Sequence, residues 1–267
     1  MNTILHDRSE PAVLDAIDHN YRASMRAFGL AAHVKLRDDD SLFWFVTSVP
    51  DPAFNSIMYA NLTPEQILPT VQELNQLRST HAVPMNWLIG PSSRPTNLGQ
   101  LLLTAGLTHF VDLPLMVVDL AARVAAGELP IDFSIQRVTT PAVFAEWIET
   151  ERRGFEVEAP LVPALTALRQ GMGIDHSYPV HHFLGRLSEQ PVATASVVFA
   201  AGIIGVYDVA TVPSARNRGI GTAITHHILQ AARQTGYEIA FVQPSSMAYH
   251  VYERLGFREC GVCSVFG

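Results

Sequence analysis

An arginine followed at three and five residues by glycines marks the stretch of this 267-residue chain that speaks most directly of chemistry: Arg216-Asn217-Arg218-Gly219-Ile220-Gly221-Thr222-Ala223. It follows the β-branched run Ile203-Ile204-Gly205-Val206-Tyr207-Asp208-Val209-Ala210-Thr211-Val212 and precedes a segment of helical periodicity that ends near Gly236. A strand that breaks at glycines and opens a helix leaves unbonded N–H groups at the helix start, where the macrodipole favours an anion. Glycines at 219 and 221 remove Cβ atoms, so a pyrophosphate can approach the main chain. The pattern is not a P-loop, which needs G-x-x-x-x-G-K-[ST]. It is not a dinucleotide fingerprint either, because position 224 is Ile and the strand comes late in its domain.

The only cysteines, Cys260 and Cys263, form a C-x-x-C. A redox pair of that spacing opens a helix, and a zinc site needs two further ligands. Here the motif lies in a run that reads as the last strand, so both are expected to be buried or half-buried strand thiols, with no metal.

The elements that must position the glycine loop alternate strand and helix. A strand over 133–138 leads to a helix opened by Thr140-Pro141 and running to about Arg153, then a helix over 161–171. Strands over 181–187 and 192–199 flank the turn Ser188-Glu189-Gln190-Pro191. After the loop, Ile220, Ala223, Ile224, His227, Ile228, Ala231 and Ala232 share one stripe, which makes His227 a core histidine rather than a ligand. A strand over 238–243, a helix over 245–255 closed by Gly256 and a strand over 257–266 complete the half.

The first half is expected to be mixed α and β as well. A helix spans 13–30, strands 42–47 and 55–60, and Thr63-Pro64 starts a helix to about Thr80. A strand over 85–89, a helix ending at Gly106 and a strand over 115–120 follow, and 121–130 reads as a linker.

A hydrophobic fraction of 48% with 16% charged residues describes a folded chain long enough for two domains. A formal charge of −7 argues against non-specific nucleic-acid binding. No apolar run approaches a membrane span, and the first residues lack a secretory pattern, so a cytoplasmic enzyme is expected.

About thirty residues past the glycines comes Ala248-Tyr249-His250-Val251-Tyr252-Glu253-Arg254-Leu255-Gly256-Phe257. The two motifs together resemble the GNAT superfamily of acyl-CoA-dependent N-acetyltransferases. Its [RQ]-x-x-G-x-[GA] signature matches at Arg216, Gly219 and Gly221, and its A-x-x-x-Y-x-x-L-G-F pattern at Ala248, Tyr252, Leu255, Gly256 and Phe257. The resemblance covers about residues 132–266. It implies an α+β GNAT fold, a mixed, centrally splayed β-sheet flanked by helices, in the C-terminal half. It also implies that Arg216, Asn217, Arg218, Gly219, Ile220, Gly221 and Thr222 cradle the coenzyme A pyrophosphate. The pantetheine arm would pair with Val209, Ala210 and Thr211 in the gap between two splayed strands. Tyr252 stands where many members keep a general acid for the leaving thiolate, and a phenol near pKa 10 can serve a thiol near 8.5 at close range. Seven residues earlier many members carry a cofactor-contacting asparagine, where this chain has Ser245. For the general base, Asp208 is the acid nearest the cofactor strand, with Glu156, Glu158, His181 and His182 as alternatives.

In the first half, Gly106-Leu107 stands where Gly256-Phe257 stands, without a preceding R-x-x-G-x-G. Residues 1–126 therefore read as a degenerate GNAT-like α+β domain ahead of a catalytic domain over 132–267, the layout of tandem GNAT proteins. The expected activity is transfer of an acetyl group from acetyl-CoA to a primary amine of a small molecule by direct attack in a ternary complex. A non-catalytic acyl-CoA-binding or regulatory module and a protein N-acetyltransferase are the alternatives. The expected partners are acetyl-CoA and the amine, with no nucleic acid and no membrane, in a monomer or homodimer.

Overall fold

Aromatic and β-branched runs pair edge to edge into an eleven-stranded mixed sheet in the computed structural model, which describes residues 3–121, 130–174 and 178–267. In chain order the strands are β1 (Lys35–Asp38), β2 (Leu42–Val46), β3 (Asn55–Ala60), β4 (Asn86–Ile89), β5 (His109–Asp119), β6 (Phe133–Arg137), β7 (Val180–Leu187), β8 (Gln190–Ala200), β9 (Ile203–Thr211), β10 (Ile239–Val242) and β11 (Arg258–Phe266). Their spatial order is β1-β2-β3-β4-β11-β5-β10-β9-β8-β7-β6. The halves therefore interlock: β5, from the first half, lies between β10 and β11, and β11 lies between β4 and β5.

Side-chain alternation along the strands gives the sheet two apolar faces. On one, Ile57, Trp87 and Phe266 pack under α2 (Pro64–His81) and α3 (Leu98–Thr104). Farther along that face, Val206, Ala240 and Val242 pack under α6 (Ile220–Gln234) and α7 (Tyr249–Arg254). On the other face, Phe43, Phe45, Val117 and Phe241 meet α1 (Glu10–Arg26) and α5 (Val162–Met172). Beside them α4 (Pro141–Gly154) sets Phe144, Trp147 and Ile148 against Leu184. Buried Asn20 on α1 donates to the carbonyls of Val198, Ala200 and Ile203 and accepts from the Tyr207 hydroxyl, which fastens the first helix to the β8–β9 hairpin.

The chain order β3-α2-β4-α3-β5 recurs as β9-α6-β10-α7-β11. In both sets the first strand runs parallel to the next, β3 to β4 and β9 to β10. Each first strand carries a bulge at a left-handed residue, Tyr59 (φ 49°) and Asp208 (φ 51°). Gly106 and Gly256 both follow their helices at φ near 90° (94° and 90°), where a side chain would be strained.

Four expectations needed revision or fell outside view. β1 was not anticipated, because Lys35-Leu36-Arg37-Asp38 is a charged edge strand whose alternation is masked by its charges. The helix expected over 245–255 spans only Tyr249–Arg254; Ser245 O accepts from both Ala248 and Tyr249 N–H, so the preceding residues form a turn. His227 is exposed rather than core, because the buried stripe of α6 runs through Ile224, Thr225, Ile228 and Leu229; its ring meets Phe183 edge-on from the flank of that stripe. The linker expected over 121–130 falls outside the described residues apart from its two ends. Cys260 is half-buried and Cys263 buried, both free thiols on β11. No described helix is long and apolar enough to cross a membrane.

Candidate active site

β9 and β10 pair at Ile204–Ala240, Gly205–Phe241 and Val206–Val242, and there the pairing stops. β10 ends at Val242, whereas β9 continues to Thr211, held on its other edge by β8. Beyond Val206 the edge of β9 that faced β10 has no main-chain partner among the described residues. Unpaired backbone groups at such a place call for a ligand. The bulge at Asp208 turns the strand as it leaves its neighbour.

At the end of β9 the chain reaches the glycines. Asn217, Arg218 and Gly219 are exposed, and Gly219 opens α6 in the left-handed region (φ 74°). The first i→i−4 bond runs from Ala223 N–H to Gly219 O (2.9 Å), so the amides of Ile220, Gly221 and Thr222 precede it, and no side chain caps them. A Cβ on Gly221 would come no closer to the protein than 3.8 Å, at Thr211 Oγ1. Neither strain nor crowding requires glycine there, and its missing side chain leaves the space over the amides open. Three free amides at a helix start, bare of side chains, fit an anionic diphosphate.

Arg216 has a different task from the amides around it. Its guanidinium donates to Thr211 O (3.2 Å) and Gly154 O (2.9 Å) and pairs with Glu156 (2.7 Å). The side chain thus ties the end of β9 to the last turn of α4 and shapes the loop from behind. Glu156, considered as a base, is engaged in that tie.

On the opposite face of the sheet a cavity of about 530 Å³ opens below the bulge. The second half supplies Glu151, Arg169, His182, Ser196, Tyr207 and Asp208; the first half closes it with Tyr21, Phe28, Val49 and Phe54, among others. Its wall holds a buried charge cluster. Arg169 Nε donates to Glu151 Oε2 (3.1 Å), and Nη2 donates to Glu151 Oε1 and to Asp208 Oδ1 (3.1 Å). Arg169 and Glu151 are 6% and 2% exposed. Burial pushes the Glu151 carboxyl up to about 7 against the pull of Arg169. His182 hydrogen-bonds Ser196 through Nδ1 (2.7 Å) and packs on Trp147; burial pulls its pKa down to about 4, which leaves it neutral near pH 7. Asp208 and its neighbour Tyr207 belong both to the splayed stretch of β9 and to the cavity, and Asp208 is the acid of the two.

The other expected residues are placed as follows. Val209, Ala210 and Thr211 lie on the stretch of β9 that has left β10 and is still held by β8. Ser245 is exposed in the turn after β10. Tyr252 is buried on α7 within the core under α6, edge-on to Phe257 (5.4 Å between centroids), and burial raises its pKa above the usual phenol value. It is not among the residues lining the cavity that holds Asp208. His181 meets Phe199 with tilted rings, and Glu158 stands at the cavity wall. Sequence reasoning overlooked Glu151 and Arg169. The signal was available: Glu151 falls in register with Phe144, Trp147 and Ile148, and Arg169 with Leu165, Leu168 and Met172, so each is a charge on an apolar stripe. Among the described residues no group of three or more His, Cys, Asp or Glu is placed to hold a metal ion.

Residues 179–259 match the family model of the acetyltransferase (GNAT) domain. The likeness to that family lies in the second half of the chain, and the fold of solved GNAT proteins extends over nearly its whole length. A GCN5-related N-acetyltransferase from Kribbella flavida superposes with a TM-score of 0.69 at 19% identity, over 93% of this chain and 95% of that one. A GCN5-related N-acetyltransferase from Sphaerobacter thermophilus gives 0.60 at 15% identity, over 87% and 75%. A tandem GNAT protein from the clavulanic acid biosynthesis pathway gives 0.59 at 13% identity, over 99% and 95%. At these identities the likeness is one of fold. No curated protein matches the sequence.

Proposed function

We propose that the protein is an N-acetyltransferase that moves an acetyl group from acetyl-CoA to the primary amine of a small molecule within a ternary complex. The observation that carries this reading is the parting of β9 from β10 after Val206, beside an uncapped helix start on one face and an acid-lined cavity on the other. The amides of Ile220, Gly221 and Thr222, with the exposed loop of Asn217, Arg218 and Gly219, would hold the pyrophosphate. The free edge formed by Val209, Ala210 and Thr211 would pair with the pantetheine arm, and Ser245 is close enough in sequence to the end of β10 to add a contact. Acetyl-CoA supplies the activated acyl group; the protein's part is to orient it and manage charge. A main-chain N–H at the bulge would stabilise negative charge on the acyl oxygen. Tyr252 is the candidate acid for the departing thiolate, and Asp208 the candidate proton acceptor or ammonium anchor on the cavity side.

The cavity supports a small cationic acceptor. Asp51, Glu151, Glu156, Glu158 and Asp208 line it, against one guanidinium, Arg169. An ammonium is attracted to such a wall. Walls drawn from both halves favour a small molecule over a protein tail. On this reading residues 1–126 form a GNAT-like wall domain and 132–267 the catalytic domain. Isothermal calorimetry with acetyl-CoA, followed by thiol release over a panel of amines, tests the proposal. One equivalent of acetyl-CoA bound per chain and amine-dependent thiol release are expected; absence of acetyl-CoA binding would overturn the reading.

A further inference from the structure

The acceptor cavity joins a buried charge cluster to a largely apolar wall, and the combination narrows its ligand. At the inner end Glu151 and Asp208 both accept from Arg169, whose Nε and Nη2 are thereby engaged; its Nη1 faces Met172 Sδ at 3.9 Å. The inner cluster thus holds two carboxylates around one guanidinium, and among the described residues Arg169 is the only arginine or lysine on the cavity wall. Most of the remaining wall is apolar, with Phe28, Phe54, Val157, Leu161 and Leu165, and it also carries the acids Asp51, Glu156 and Glu158. The face of Phe28 is also approached by Arg169, 5.9 Å from the ring centroid, so the charged end and the apolar wall adjoin.

Resting on the acetyltransferase reading above, we propose that the acceptor is a primary amine on an apolar body of at least ring size, with no carboxylate beside the amine. An ammonium entering the cluster completes its charge balance, two positive groups against two negative. A free amino acid would bring a third carboxylate next to Glu151 and Asp208, away from water and with no second guanidinium or ammonium among the described residues of the wall to balance it. A small polar amine would satisfy the inner end but leave the apolar wall uncovered. The elevated pKa of Glu151 agrees with this picture, because a carboxyl poised near neutrality can take one proton from the arriving ammonium. The free amine then attacks the thioester carbonyl, the C–N bond forms as the C–S bond breaks, and the nitrogen's second proton passes to the thiolate.

Thiol release from acetyl-CoA, measured with phenethylamine, phenylalanine, phenylalaninamide and ethanolamine, tests the class. The kcat/KM for phenethylamine should exceed that for phenylalanine by about 100-fold and that for ethanolamine by about 50-fold. Phenylalaninamide, which keeps the ring and loses the charge, should recover most of the difference. Phe28→Ala and Phe54→Ala should each narrow the ratio of phenethylamine to ethanolamine. Phenylalanine or ethanolamine turned over within threefold of phenethylamine would overturn the proposal. So would the absence of turnover with phenethylamine by protein that binds one equivalent of acetyl-CoA in calorimetry. Loss of acetyl-CoA binding itself would instead strike the underlying reading, and this proposal with it.

Discussion

The two halves carry the same strand–helix–strand device, and only one leaves it open. In the second half β9 leaves β10 after Val206, and the stretch beyond has no main-chain partner on that side among the described residues. In the first half β3 pairs with β4 only at Ser56–Asn86 and Ile57–Trp87, and a bulge at Tyr59 again turns the strand. There, however, the chain fills its own gap. Arg94 N–H donates to Ala60 O (2.6 Å) and Leu62 N–H donates to Arg94 O (3.1 Å). Asp18 on α1 pins this plug by accepting from the N–H and hydroxyl of Ser92 (2.7 and 2.5 Å). The helix starts differ in the same sense. α2 has Pro64 at its first turn, Glu65 beside it, and Gln66 Oε1 accepting from Thr63 N–H (2.8 Å). That start lacks one amide, carries a negative charge and folds a side chain back on itself, whereas α6 offers bare amides. With the 106 and 256 glycines aligned, Leu102 stands where Tyr252 stands. The strand–helix opening that is bare in one half is thus closed in the other by ordinary capping and strand pairing.

The largest way to disturb this contrast is at the charge cluster beneath the bulge of the open half. Arg169→Leu strands Glu151 and Asp208, and should lower unfolding free energy by about 3–5 kcal/mol in denaturant titrations. A change below 1 kcal/mol would mean that the cluster is not a buried, mutually dependent unit. Next comes the loop itself. Gly221→Glu places a carboxylate over the free amides and should weaken acetyl-CoA binding at least 100-fold, roughly 3 kcal/mol. Because the first half is plugged, calorimetry should then register no remaining site. A residual equivalent of binding would show that the plug opens and would undo the contrast between the halves.

Much of this contrast was legible in sequence, and the limits have physical reasons. The glycines after a β-branched strand and the Tyr252 motif announce the open half, because glycine positions and helix starts act locally. Thr63-Pro64 announces the closed start of α2 for the same reason. The plug was not legible: nothing in Ser92-Ser93-Arg94-Pro95 indicates that its main chain will pair with Ala60 and Leu62, since strand pairing depends on where the sheet brings segments together. Interlocking of β5 and β11 is hidden for that reason too. Glu151 and Arg169 lie between these cases, each visible as a charge on an apolar stripe, while their union with Asp208 needs three elements to converge.

Tyr252 sharpens the comparison by chemistry, since its counterpart Leu102 has no hydroxyl. Tyr252→Phe should lower kcat by about 10- to 100-fold, or roughly 1.4–2.7 kcal/mol, with acetyl-CoA affinity changed little. Unchanged turnover would remove Tyr252 as the acid, which its depth in the core makes a demanding test.

Protonation beneath the open half gives two opposed slopes. The Glu151 carboxyl is raised to about 7 by burial, so its contribution to stability is full below the unfolded value near 4.5 and is lost as pH rises through 7. His182 is lowered to about 4 by burial, so its contribution is full above 6.5 and is lost as pH falls toward 4. Between pH 5 and 6.5 the slopes oppose, and the native protein should be nearly level. Glu151→Gln should then become more stable with rising pH in that window, and His182→Gln less, by about 1–2 kcal/mol each. Parallel slopes in both variants would show that these two groups do not set the dependence.

The smallest effect lies at the closed helix start, and it separates architecture from function. Gln66→Ala removes the side chain that receives the Thr63 N–H. Loss of half a capping box costs about 0.5–1 kcal/mol of stability. Since Pro64 still withholds an amide and Arg94 still fills the strand gap, the variant should bind one equivalent of acetyl-CoA with wild-type affinity. A second equivalent appearing in calorimetry would mean that the cap alone keeps the first half shut, and that the two halves differ by one side chain rather than by a plug, a proline and a missing tyrosine together.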